Sequence, residues 1–170
     1  MRIFLIGFMG SGKTTLGKKL ARKLAVDFID LDHYFEEREG KSVPQYFQDH
    51  GEEEFRKAER RVLQTGEFPE QAIIATGGGA PCYFDNIDWM NANGTTIYLS
   101  LPAAALAARL ENASEIRPVL RNYKGPELIK FIEEKLAERS PFYEKAQLRV
   151  PGQGLSADRL ADIIEEYQRR

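Results

Sequence analysis

Near the start of the chain, Gly7-Phe8-Met9-Gly10-Ser11-Gly12-Lys13-Thr14-Thr15 has the residue types and spacing GxxxxGK[ST] that suit holding a polyphosphate. Glycines at 7, 10 and 12 free the backbone to curl its N–H groups around an anion. Lys13 and Thr14 then open a helix. A helix start attracts anions and disfavours a resident cation, so a lysine there makes most sense with phosphate oxygens beside it. The expected nucleotide contacts are Gly10, Ser11, Gly12, Lys13, Thr14 and Thr15, with Lys13 on the β- and γ-phosphates and Thr14 on a magnesium ion. An ordinary glycine-rich turn is the plain alternative, but a strand-like run before the loop and the helical spacing of Leu16, Leu20, Ala21 and Leu24 after it favour the phosphate reading.

Three further groups could carry chemistry. Asp30 and Asp32 follow the apolar pair Phe28-Ile29, at the carboxyl-terminal edge of a strand, where open α/β sheets bind ligands. If the strand persists, both carboxylates point the same way; a cap on the following helix is an equally good reading of one of them. The apolar run Ala72–Ala75 leads through Thr76 into Gly77-Gly78-Gly79. A generic phosphate-loop protein ends this strand with the aspartate that orders magnesium. None is present, and Asp30 is the available substitute. A simple turn rarely needs three glycines, whereas a ligand lying close on the backbone does. Arg56, Arg117 and Arg139 form the last group, and each taken singly reads as a solvated surface residue.

The elements that must position these residues follow from periodicity. Strand-like runs at Ile3–Ile6, around Val26–Ile29, at Ala72–Ala75, Thr96–Ser100 and Leu148–Val150 alternate with helical patterns, which predicts a parallel sheet with helices on both faces. Two helices, Val43–Asp49 and Glu52–Gln64, are separated by Gly51; another spans Leu101–Arg109 with Pro102 in its first turn; the last spans about Ser156–Gln168. The polar stretch Asn112–Gly125 carries Arg117, Arg121 and Lys124 and reads as a mobile cationic loop.

At 170 residues and 42% hydrophobic, the chain suits one α/β domain with little room for another. Lys plus Arg number 24 against 26 Asp plus Glu, with no long block of one sign, so nothing points to a nucleic-acid surface. The single cysteine, Cys82, rules out an internal disulfide and a multi-cysteine metal site. The apolar run after Met1-Arg2 breaks at Gly7, too early for a signal peptide, and no stretch is long enough to cross a membrane. These features predict a soluble, intracellular protein.

Taken together, GFMGSGKTT, FIDLD, GEEEFRKAE, ATGGGA, EIRPVL and ERSPFY resemble, in order and spacing, the shikimate kinase family of the nucleoside-monophosphate-kinase-like branch of phosphate-loop proteins. The resemblance covers nearly the whole chain. It implies a three-layer sandwich, a five-stranded parallel sheet flanked by helices, as a single domain over 1–170, with substrate-binding helices over about 31–66 and a lid over about 112–125. It implies transfer of the γ-phosphoryl group of ATP to the 3-hydroxyl of shikimate, on the chorismate route to aromatic amino acids. Lys13, Asp32 and Arg117 take the catalytic roles, Asp32 binding the acceptor hydroxyl as base and Arg117 closing on the phosphates from the lid. Mg2+ falls to Thr14 and to Asp30 through water. Arg56 and Arg139 grip the shikimate carboxylate, and Gly77, Gly78 and Gly79 wall the pocket. Arg109 lies against adenine, and Gln153 stands in the adenine loop Pro151–Gly154. The implied partners are ATP and shikimate, without nucleic acid or membrane, for a cytoplasmic monomer.

Other readings explain less. A gluconate or nucleotide kinase on the same scaffold does not jointly account for the triple glycine, FRKAE and ERSPFY. A nucleotide-gated switch calls for Asn-Lys-x-Asp and Asp-x-x-Gly, and neither tetrapeptide occurs. A catalytically dead scaffold sits poorly with Lys13, Thr14, Asp30, Asp32 and Arg117 all present.

Overall fold

Ile3, Phe4, Leu5 and Ile6 are all wholly buried, because the strand they form is covered by helices on both faces. That strand is the centre of the computed structural model, which describes residues 1–112, 120 and 122–170. Most of the expected lid, Arg117 and Arg121 included, lies outside the described residues. Strands β1 (Arg2–Ile6), β2 (Asp27–Asp30), β3 (Ala72–Ala75), β4 (Thr95–Ser100) and β5 (Leu148–Pro151) form one sheet in the order β2-β3-β1-β4-β5, every pairing parallel. Seven α-helices stand among the described residues: α1 (Lys13–Leu24), α2 (Leu31–Glu39), α3 (Val43–Gln64), α4 (Asn86–Asn93), α5 (Ala103–Glu111), α6 (Pro126–Tyr143) and α7 (Ala157–Gln168).

Alternation along β1 divides the core. Ile3 and Leu5 face Leu16 and Leu20 of α1 and Leu160 and Ile164 of α7. Phe4 and Ile6 face Leu31, Leu63, Ile87, Met90 and Tyr143, contributed by α2, α3, α4 and α6. The result is the expected three-layer sandwich. The chain leaves β1 for opposite halves of the sheet, since β1 lies between β3 and β4, and such a switch point opens a crevice at the carboxyl ends of the strands.

Two satellite clusters extend this frame. Phe35 of α2 and Phe55, Ala58 and Val62 of α3 make a small core of their own, with Phe55 5.1 Å from Phe35 and 4.4 Å from Phe47 between ring centroids. Leu120, one of the described residues within the expected lid, packs with Phe8, Leu110, Leu128 and Ile132. The segment's two ends meet where the Gly125 N–H donates to Glu111 Oε1 at 2.7 Å.

Gly51, with φ of 83° and ψ of 172°, breaks α3 at a kink into the two anticipated helical pieces, while local boundaries differ from expectation at two other places. Pro102 is the residue before α5, not within its first turn, because its extended ψ of 151° precedes the helix. The strand carrying Asp30 stops there, and Asp32 belongs to α2, so the pair does not project by strand alternation.

Leu20 is fully buried between α1 and the sheet. Leu20→Ala is expected to lower the unfolding free energy by about 2–5 kcal/mol, measured by urea denaturation; a change near zero would contradict this packing.

Candidate active site

The phosphate loop takes the shape that its glycines permit. Gly10 and Gly12 have φ of 81° and 100°, a region that disfavours any side chain. Gly12 precedes α1 with no side-chain cap, and no acidic residue stands in the helix's first turn. The opening N–H groups are therefore left to an anion from outside the loop. Lys13 is buried, and its Nζ donates to the carbonyls of Gly7 at 2.7 Å and Phe8 at 2.9 Å, with Ser11 Oγ at 3.4 Å. Ser11 is fully buried and shapes the loop from inside, while Thr14 and Thr15 face outward.

A cleft of about 540 Å³ spreads from this loop across the carboxyl ends of β2 and β3. Lys13, Thr14, Asp30, Asp32, Gly77 and Gly78 line it. Asp30 realises the capping alternative without leaving the site: its Oδ1 accepts from the N–H groups of Asp32 at 3.0 Å and His33 at 3.3 Å. This cap turns the chain sharply, so Asp32 reaches the same cleft from the first turn of α2.

The three glycines after β3 have a more specific role than a turn. A Cβ at Gly77 would stand 3.1 Å from Asp32 Oδ1, one at Gly78 3.2 Å from Arg139 Nη1, and one at Gly79 2.6 Å from both Arg56 Nη atoms. Three side chains from α2, α6 and α3 thus close on consecutive glycines. None of the three glycines has positive φ, so nearness, not backbone freedom, requires them. The same Gly78 Cβ would meet Met9 N at 3.3 Å, which sets the wall against the phosphate loop.

Both arginines are held but not fully satisfied. Arg56 Nη1 donates to Glu59 Oε1 at 3.0 Å, and its guanidinium lies 4.3 Å from the Tyr83 ring centre. The Arg139 guanidinium lies 5.4 Å from the centre of the Phe8 ring. Among the described residues, Arg56 Nε and Arg139 Nη1 are buried without a hydrogen-bond partner. Orphaned donors on buried cations are costly, and an anionic ligand satisfies them. Neither arginine lines the 540 Å³ cleft itself; Arg56 borders a separate, shallower cavity of about 330 Å³ beside Tyr83 and Phe84.

The remaining expected residues separate into two groups. Arg109 lines the cleft from α5, its Nη1 3.4 Å from the Gly10 carbonyl. Gln153 is exposed, and the cleft wall beside it is made by Gly152 and Leu155. Arg117 lies outside the described residues.

One residue not singled out by its sequence is Glu59, 4% exposed on the inner face of α3. The available signal was its phase: it falls on the stripe of Phe55, Val62 and Leu63, where an acid is out of place. Burial pushes the Glu59 carboxyl up to about 7 and nearby Asp32 adds to this, while Arg56 and Arg139 pull it back. The folded protein therefore keeps a proton that the unfolded chain releases near the ordinary value of 4.5. Stability from this group is full below the unfolded value and is lost as pH rises through about 7.

Two outcomes follow. The unfolding free energy of the native chain minus that of Glu59→Gln should decline between about pH 5 and pH 8; a difference independent of pH would contradict a raised Glu59. Gly79→Ala places a methyl group against the Arg56 guanidinium and should weaken shikimate binding about tenfold or more, with binding of a non-hydrolysable ATP analogue unchanged in the same calorimetric titrations. Equal losses for both ligands would count against the wall.

Comparison with known proteins gives a consistent answer. A family model described as shikimate kinase matches residues 9–168. The shikimate kinase of Parabacteroides distasonis is 53% identical over 148 residues, covering 86% of this chain and 85% of that protein. The crystal structure of shikimate kinase from Bacteroides thetaiotaomicron superposes with a TM-score of 0.90 at 44% identity, covering 97% of this chain and 98% of that one. A shikimate kinase from Acinetobacter baumannii, solved in complex with shikimate, has a TM-score of 0.83 at 29% identity and covers 99% of this chain and 95% of that one. On the family model and these relatives, the chain belongs to the shikimate kinase family.

Proposed function

We infer that this chain transfers the γ-phosphoryl group of ATP to the 3-hydroxyl of shikimate, giving shikimate 3-phosphate and ADP. The observation that carries the reading is the seating of Asp32, Arg139 and Arg56 on Gly77, Gly78 and Gly79, with Gly78 also touching the phosphate loop. Shikimate has one carboxylate and three hydroxyls. Two guanidinium forks suit the carboxylate better than ammonium groups would, because their planar donors match it in bidentate fashion. The buried Nε of Arg56 and Nη1 of Arg139 are the donors available to it. Asp32, on the cleft side of the wall, takes the hydroxyl that reacts, orienting it and accepting its proton.

Phosphoryl transfer passes through a loose, charge-spread transition state, so positioning and fixed cations supply most of the rate. Lys13 stands at the loop for the β- and γ-phosphates, and we assign the lid cation to Arg117, where an arginine finger supplies roughly 10³–10⁵ in rate. We propose that the lid over about 112–125 and the acceptor arm over about 31–66 belong to a single domain spanning 1–170. The lid would keep water from taking the phosphate. Arg109 is assigned to the adenine face, and Gln153 to the loop at its edge.

A magnesium ion fits the donors present. Thr14 offers a hydroxyl at the start of α1, and Asp30 uses only Oδ1 in its two capping bonds, so that hard oxygen ligands meet in the cleft. Among the described residues there is no group of three or more His, Cys, Asp or Glu able to hold a metal alone. This agrees with an ion held mainly by phosphate and water. When bound, it would neutralise charge on the β- and γ-phosphates.

No helix among the described residues is long and apolar enough to cross a membrane. We propose a cytoplasmic monomer, in keeping with the near balance of charge and the lone cysteine. The test is ADP release from Mg-ATP with shikimate, quinate, gluconate and AMP as acceptors. Selective turnover of shikimate is expected, and preference for another acceptor would overturn the reading. Asp32→Asn should lower kcat by about 10²–10⁴ while nucleotide binding survives; near-normal turnover would remove Asp32 from the proton-accepting role.

A further inference from the structure

Tyr143 ends α6 four residues after Arg139 and is wholly buried in the main core. Its ring stacks on Tyr98 of β4, with centroids 4.9 Å apart and planes at 29°. A phenylalanine would satisfy that packing equally well. The hydroxyl is the part that needs explaining, since burying it costs free energy unless it finds a partner. It donates to the Gly78 carbonyl at 2.6 Å.

Gly78 is where the wall, α6 and the phosphate loop come together: Arg139 Nη1, the Met9 N–H and the Gly7 carbonyl lie 3.2, 3.3 and 3.5 Å from its would-be Cβ. A small displacement of this residue therefore changes the space between the phosphate loop and the acceptor's carboxylate grip. Arg139 and Tyr143 lie one helical turn apart on α6, so both reach toward the same wall residue. Pro141 stands between them and cannot donate to the Ala137 carbonyl, which loosens the helix's own bonding at this turn and leaves outside contacts to hold it.

We propose that Tyr143 is a positioning residue for acceptor binding, pinning Gly78 to α6 so that the wall and Arg139 keep one fixed spacing. Burial raises the phenol's affinity for its proton, so the hydroxyl stays a donor throughout the ordinary pH range. The arrangement explains why the last turn of α6 carries a tyrosine and not an apolar residue of the same shape. The inference rests on the shikimate kinase reading.

Steady-state kinetics of the native chain, Tyr143→Phe and Tyr98→Phe test it, with melting temperature measured alongside. Tyr143→Phe removes one oxygen and keeps the stacked ring. KM for shikimate should rise about tenfold, with KM for ATP and kcat within about two- to threefold of the native values. Tyr98→Phe keeps the same stack without touching Gly78 and should leave both KM values unchanged. An unaltered KM for shikimate in Tyr143→Phe, a parallel rise for both substrates, an equal rise in Tyr98→Phe, or a Tyr143→Phe chain that does not fold would each overturn the positioning role. Failure of the native chain to use shikimate would instead overturn the functional reading beneath it.

Discussion

The acceptor side proposed for this site is built on missing Cβ atoms. Side chains from three different helices lie so close to Gly77, Gly78 and Gly79 that a Cβ would stand 3.1 Å from Asp32, 3.2 Å from Arg139 and 2.6 Å from the Arg56 guanidinium, which would have to shift to admit it. Because these glycines follow β3 through Thr76, next to β1 and its phosphate loop, the side chains that face them are fixed relative to that loop. Phosphoryl transfer gains mostly from such positioning. The sheet provides the rigid reference, and the glycines let the helices come near it.

The site's electrostatics follow from the same crowding. Arg56 is held by Glu59 and an aromatic surround, and its buried Nε has no hydrogen-bond partner, with Glu52 Oε1 3.7 Å away. Glu59 is nearly as buried as the core residues beside it, with Asp32 raising its proton affinity and Arg56 lowering it. A fully ionised Glu59 would cancel part of the charge that Arg56 offers to an anion. A carboxyl that titrates near neutrality leaves more of that charge for the ligand while still giving the guanidinium an orienting partner. At the donor side the carbonyls of Gly7 and Phe8 accept from the Lys13 ammonium group and help to hold it in place.

Much of this was legible in the residues alone. The five strand-like runs became the five strands: β1 and β3, inside the sheet, are apolar runs buried almost throughout, while β2 and β5 at its edges carry charged residues among the apolar ones. The phosphate loop was readable because its glycines and lysine are required by local geometry. α2 and α4 were harder to see: Leu31 and Phe35 are the buried residues of α2, and α4 has three asparagines in eight residues, a loop-like composition. Asp30 and Asp32 were rightly placed at one edge, and of the two readings of the pair the cap holds: Asp30 caps α2, and Asp32 reaches the cleft from that helix and not by strand alternation. Glu59 was detectable from its phase on the apolar stripe of α3, with Arg56 one turn away, whereas the hydroxyl of Tyr143 escaped notice because its partner Gly78 is far away in sequence. The arginines were legible only as a set: each alone looks like surface, and only the fold brings Arg56 and Arg139 to adjacent glycines.

The central claim, that the glycine wall and its three facing side chains form the acceptor site beside the phosphate loop, is tested most directly by a crystal structure of this chain with shikimate bound. The account predicts the carboxylate between Arg56 and Arg139, in hydrogen-bond reach of Arg56 Nε and Arg139 Nη1, and a ring hydroxyl on Asp32 turned toward the phosphate loop. Shikimate bound away from Gly77–Gly79, or bound there with its carboxylate on other cations, would contradict it.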